Sequence, residues 1–198
     1  MDDLYIIVWN PLVYSLSGVG KAFAAPYWPP DLGGQMYRPL PLATYAIDWA
    51  IAGGTRHPAW FHAVNLMWHA AVTVVVAALA RRWVGFAAGL IAGLLFAVHP
   101  VHVEAIANVI GRGELMAALG VCVAVYAAVV KDSIGWSALA LGVGLLSKEN
   151  AVVAPALIAW AWIVGMSRPP RARMLAHVGS WLAIMAGYRS EERRVVEE

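Results

Sequence analysis

Residues Ala63–Val98 read AVNLMWHAAVTVVVAALARRWVGFAAGLIAGLLFAV, and Arg81 and Arg82 are the only charges among them. A hydrocarbon core of ~30 Å takes about 20 apolar residues as a helix, so the arginine pair divides this stretch into two spans, Ala63–Ala80 and Val84–Val98. The same rule picks out Leu115–Val130, Ile134–Leu146, Ala151–Met166 and Met174–Gly187. The fold expected is all-α: a polytopic transmembrane helix bundle of about six spans, several shorter than the bilayer asks for. Buried helices of a soluble protein are the duller reading, and the near absence of charge from all six runs weighs against it. Composition agrees: 61% of the 198 residues are hydrophobic and 13% charged, against about 25% charged in soluble domains. Ten Trp and seven Tyr suit two membrane–water interfaces.

Composition also excludes some functions. A net charge of +2 and the absence of a basic patch argue against nucleic acid. A lone Cys122 rules out a disulfide or thiol-metal framework within one chain. No internal repeat is visible.

The cations set an orientation. Arg81 and Arg82, Lys131, and Arg168, Arg171 and Arg173 occupy alternate loops, and the positive-inside rule puts those loops in the cytoplasm. The segment 1–62, the His99–Glu114 loop and the Ser147–Asn150 turn then share the outer side. Segment 1–62 reads as an outer loop. Pro39 can open a helix there at no hydrogen-bonding cost, with Leu40, Leu42, Tyr45, Ala46 and Trp49 as the apolar side of an amphipathic helix, near 39–50, on the membrane surface. Residues 63–187 are the bundle. Residues 188–198, YRSEERRVVEE, read as a non-native or disordered tail without function. The opening Met1-Asp2-Asp3 has no basic region or apolar run, so it reads as the middle of something, with an upstream helix expected before it.

Five polar groups carry possible chemistry. Asp2 and Asp3 are paired carboxylates that can supply a general base, or simply a solvated terminus. Arg38 has the planar fork that grips phosphate, or anchors a surface helix. His62, Asn65 and His69, at i, i+3 and i+7, share a helical face about 10 Å deep; they hydrogen-bond to neighbouring helices or face a cavity. His99, His102, Glu104, Arg112 and Glu114 make a polar shelf at the membrane edge, since one HxH with a nearby Glu is weak support for a metal. Lys148, held between two short spans, needs an anion: Glu149, or a lipid phosphate. No metal and no cofactor are expected.

Four segments in order carry a resemblance: YRPL (Tyr37–Leu40), HxxNxxxH (His62, Asn65, His69), FAVHPVHVEAIANVIGR (Phe96–Arg112) and LLSKE (Leu145–Glu149). Together they resemble the transmembrane-and-tetratricopeptide-repeat O-mannosyltransferases and their bacterial relatives, over residues 1 to 166 or so. The resemblance implies a membrane glycosyltransferase of the GT-C class. Such an enzyme moves a sugar, mannose in eukaryotic members, from a polyprenyl- or dolichyl-phosphate donor to a Ser or Thr hydroxyl on the outer face. It implies Asp2 or Asp3 as the base. For such a transfer the departing phosphate needs cations, and Arg38, Arg112 and Lys148 are the residues expected to meet it, with His62, Asn65, His69, His99, His102, Glu104, Glu114 and Glu149 as a supporting polar shelf. The resemblance further implies that this chain is an N-terminal fragment, inactive alone, whose parent sits in a bacterial inner membrane or, in a eukaryote, the endoplasmic reticulum. A transporter and a non-catalytic anchor for the repeats are the rival readings. Paired broken helices would favour the first, and an outer loop without a positioned carboxylate the second.

Overall fold

A computed structural model describes residues 3–197 of the chain; Met1, Asp2 and Glu198 lie outside it. All regular elements among the described residues are helical. The six main helices are α1 (Pro39–Ala52), α2 (Pro58–Val98), α3 (Arg112–Val129), α4 (Ile134–Ser147), α5 (Ala154–Ile163) and α6 (Arg171–Glu197). Short helical turns fill the N-terminal segment and the 99–111 connection.

The long helix α2 folds back on itself. Gly85 breaks the helical path of α2 at φ 84° and ψ 177°, a conformation that glycine takes without a Cβ penalty. The two arms then run side by side. A Cβ added at Gly93 would stand 2.8 Å from the Ala77 Cβ, and one at Gly89 2.7 Å from the Arg81 Cα; His69 Nε2 meets the Ala97 carbonyl at 3.1 Å. The arginine pair thus sits at a hairpin turn, where the sequence divides the run.

Two segments, Pro58–Val98 and Val109–Val129, are long and apolar enough to cross a membrane. The helices Ile134–Ser147 and Glu149–Ile163 are apolar but shorter, and 14 residues of α4 reach only about 21 Å. The expected run Met174–Gly187 lies within α6, which continues through the charged end to Glu197 with local pairs such as Arg189–Glu192. The described tail is therefore helical rather than irregular.

Two apolar cores hold the chain. One gathers Ile6, Val13, Ala22 and Tyr27 of the N-terminal segment against Leu42, Tyr45 and Ala46 of α1. This corrects the expected surface helix. Pro39 does open α1, but Leu42, Tyr45 and Ala46 are covered by protein, so the side meant for a bilayer is already occupied. The other core joins α3 to α6 through Ala124, Ala128, Leu141, Ile158 and Trp181.

Small residues let α3 and α4 approach closely. A Cβ at Gly120 would lie 2.7 Å from the Gly144 Cα and 2.8 Å from the Ala140 carbonyl oxygen. Backbone cannot move aside as a side chain can, and small residues are the usual means of such contact between membrane helices. Gly120→Val is therefore expected to cost about 1–3 kcal/mol in detergent unfolding. Gly135→Ala, with nothing within 4 Å, serves as a neutral control.

The loops gather at the two ends of the bundle. At one end Arg173 Nε pairs with Asp132 at 2.5 Å, His177 Nε2 meets Asp132 at 3.3 Å, and Trp83 Nε1 donates to the Met166 carbonyl at 3.4 Å. The other end holds Asp3, Arg38, Asn65, Arg112, Glu114, Lys148 and Glu149, tied to one another or to shared backbone.

Candidate functional site

The second end contains a cavity of about 320 Å³. Its wall comes from three places: Tyr27, Trp28 and Arg38 of the N-terminal segment, Glu104, Asn108 and Ile110 of the connection, and Glu114 with Lys148 from the facing ends of α3 and α4. An apolar groove of about 400 Å³, lined by Phe96, Leu115, Ala118, Val121 and Cys122, adjoins it and shares Val101, Ala105, Glu114 and Lys148.

The cations are compensated. Arg38 grips Glu149 with two hydrogen bonds, Nε at 2.9 Å and Nη2 at 2.6 Å, and its guanidinium lies 5.3 Å from the Tyr27 ring centre. Lys148 pairs with Glu114. Burial pushes the Glu149 carboxyl up, but hydrogen bonds from Arg38 and from its own backbone, with the charges of Arg38 and Lys148, outweigh it and hold it below the usual value. A carboxyl lowered by folding stabilises the fold above its ordinary value, and that stabilisation is lost as pH falls through the lowered one. Docking of Arg38 onto the 147–150 turn should thus loosen as acid is added. Faster amide exchange there in acid, absent in Glu149→Gln, is the expected result. The Tyr27 phenol, raised by burial to about 12, stays protonated throughout.

Asp3 accepts a hydrogen bond from the backbone N–H of Ile110 at 3.0 Å, and so lies directly behind the cavity wall. Asp2 lies outside the described residues.

Arg112 is placed differently from expectation. Its side chain is wholly buried and paired with Asp48. It also donates to Asn65 Oδ1 at 3.0 Å, Thr44 Oγ1 at 3.2 Å and the Phe61 carbonyl at 3.2 Å, over the Tyr45 ring at 4.7 Å. With its fork filled and no exposed surface, it leaves the set of phosphate contacts and becomes an internal brace. Asn65 extends the brace: its Nδ2 donates to the carbonyls of Asn108 at 2.9 Å and Val109 at 3.2 Å, fixing the backbone that presents Ile110 to Asp3.

Of the three residues expected on one face, Asn65 and His69 are buried while His62 is exposed and stands outside the network. His69 and His102 lie 5.2 Å apart beside Phe96, and both line the apolar groove. His99 Nδ1 accepts from the Val101 N–H at 3.2 Å. Burial first, then the neighbouring His69 and His99, lower the His102 imidazole below its usual value. No group of three or more His, Cys, Asp or Glu among the described residues is set to hold a metal.

Asp48, Tyr27 and Trp28 are the participants that sequence reasoning passes over. Asp48 had a signal: it is the one charge in an otherwise apolar helix.

A helical chain with membrane-capable segments and a cation-bearing cavity at one end is the class that fold and site define. Among curated proteins it is similar to protein O-mannosyl-transferase TMTC4 of Homo sapiens, 33% identical over 136 residues, or 60% of this chain and 18% of that protein. It is similar to TMTC1 of Mus musculus, 37% identical over 125 residues, 60% of this chain and 13% of the relative. With Tmtc2 of Drosophila melanogaster it is 33% identical over 172 residues, 77% of this chain and 18% of the relative. Each is a protein O-mannosyl-transferase, so the family resemblance carried by the four motifs holds. The chain spans less than a fifth of the length of these relatives. No family model and no solved structure matches it.

Proposed function

We propose that this chain forms part of a GT-C-type glycosyltransferase that moves mannose from a polyprenyl-phosphate donor to a protein Ser or Thr hydroxyl. The cavity end faces the outer side of a bilayer that the chain crosses about six times, its short helices spanning with help from local thinning. The observation that carries this reading is the convergence of Arg38 and Lys148 on one cavity, behind whose wall Asp3 is held.

In this reaction a carboxylate, Asp3 or its neighbour Asp2, accepts the proton of the acceptor hydroxyl. The hydroxyl oxygen forms the new bond to the sugar C1 on the face opposite the phosphate. The C1–O bond to phosphate breaks, and the lipid phosphate leaves with the electron pair. Lys148 and Arg38 balance the developing charge by exchanging their carboxylate partners for the phosphate. Both carboxylates are about half exposed, 52% for Glu114 and 45% for Glu149, while Lys148 and Arg38 are largely covered at 18% and 13%; the carboxylates can swing into water, and the phosphate then supplies the anion that the covered cations require. The adjoining apolar groove gives the polyprenyl chain a path away from the phosphate.

The test is transfer from a labelled polyprenyl-phosphate mannose in membranes carrying the longer protein to which the relatives' length points. Lys148→Ala is expected to lower turnover about a hundredfold, as loss of one charge-stabilising donor does. Unchanged turnover would exclude Lys148 from the phosphate. Absence of transfer by the unmutated protein, with its donor and a Ser/Thr acceptor present, would overturn the reading.

A further inference from the structure

The carboxylates at the cavity end are not equivalent. Asp48 is taken by Arg112 and by Trp60 Nε1 at 3.0 Å, Glu114 by Lys148, Glu149 by Arg38 and Asp3 by the Ile110 amide. Glu104 lines the same cavity, is exposed, and its carboxylate has neither an ion pair nor a hydrogen bond among the described residues.

Its position on the connection is firm. It lies in the first turn of the short helix Val103–Ala107, whose following carbonyls are gripped by Asn65. Trp28 lines the same cavity, half-buried, with its ring edge-on to Tyr27 at 6.1 Å. The Tyr27 and Trp28 backbones are fixed by N–H bonds to the carbonyls of Met36 at 2.8 Å and Gln35 at 3.3 Å.

A carboxylate with both oxygens available and an indole in one cavity are the chemistry that binds a pyranose. The carboxylate accepts hydrogen bonds from adjacent hydroxyls, and charged acceptors make the stronger bonds; the indole covers the apolar face of the ring. Phosphate gains nothing from Glu104 and is repelled by it. We propose that Glu104 binds the hydroxyls of the donor sugar, with Trp28 on the ring face, so that the cavity has a cationic phosphate half and a Glu104–Trp28 sugar half. This rests on the donor-phosphate reading above and adds to it the part of the site that recognises the sugar.

The experiment is calorimetric titration of the detergent-solubilised chain with mannose 1-phosphate and, separately, inorganic phosphate. The unmutated chain should bind mannose 1-phosphate the more tightly. Glu104→Gln should cut that preference about tenfold, the weight of one charged hydrogen bond, while inorganic phosphate binds as well as before or better. Trp28→Ala should act in the same direction, and Lys148→Ala should weaken both probes alike. Glu104 is exposed and paired with nothing, so its replacement leaves the fold intact, which circular dichroism verifies. A preference unchanged in Glu104→Gln, or no preference in the unmutated chain, overturns the sugar assignment and leaves the phosphate reading standing. Failure of both probes to bind the unmutated chain overturns the two together.

Discussion

Asp48→Ala is expected to cost about 3–5 kcal/mol of unfolding free energy, the usual consequence of removing one partner from a buried ion pair. Arg112 is fully buried and the Asp48 side chain is 5% exposed, so no water can replace the lost charge. The remaining acceptors of Arg112, from Asn65, Thr44 and Phe61, are neutral and leave the guanidinium without a counter-charge. The loss would also reach the cavity, because the same brace fixes the backbone of Asn108 and Val109 through Asn65. Unfolding by a denaturing detergent, followed by circular dichroism, measures the effect. Asp48→Asn keeps the acceptor and should lose less. A loss under about 1 kcal/mol in Asp48→Ala, the size of an exposed pair, would show that the brace is not buried as described.

The other large effect belongs to Asp3. Asp3→Asn is expected to lower sugar transfer by about 10²–10⁴, the contribution of a positioned general base, with donor affinity nearly unchanged. The replacement is conservative for structure, since asparagine keeps an oxygen to accept from the Ile110 N–H; what it removes is the basic lone pair. Turnover and donor binding measured on the same preparation separate the two roles. Asp2→Asn should do less if Asp3 is the base. A double replacement of Asp2 and Asp3 with unchanged turnover would remove the acidic pair from the mechanism.

Much of this arrangement was legible in the chain because it depends on local pattern. The arginine pair marks the turn within α2, although the break itself falls at Gly85, inside the span expected from Val84, and the alternation of basic and mixed loops along the sequence corresponds to the two polar ends of the bundle. What was not legible rests on pairs far apart in sequence. Arg112 sits in a polar connection and reads as exposed; only the fold brings Asp48 to it from 64 residues earlier, and that contact turns a candidate ligand contact into a brace. The apolar side of α1 reads as a membrane face because periodicity says which residues are covered but not by what; the cover is Ile6, Val13 and Ala22. His62 shares a helical face with Asn65 and His69 by spacing, yet the buried stripe runs through Phe61, Val64, Asn65, His69 and Val72 and leaves His62 at its exposed edge. Tyr27 and Trp28 carried no motif, and they enter the site only because the Met36 and Gln35 carbonyls draw the loop back over the cavity.

The proposed function requires the N-terminal acid, Glu104 and Glu149 to lie together on one side of the membrane, opposite Lys131 and Arg171. Single cysteines at those five positions, in a chain with Cys122 replaced by Ser, can be labelled by a membrane-impermeant maleimide in sealed vesicles of known orientation. Positions 3, 104 and 149 should label from one side and 131 and 171 from the other. Labelling of 104 and 149 from opposite sides would contradict this placement, since Glu104 and the Arg38 that Glu149 holds could not then line one cavity.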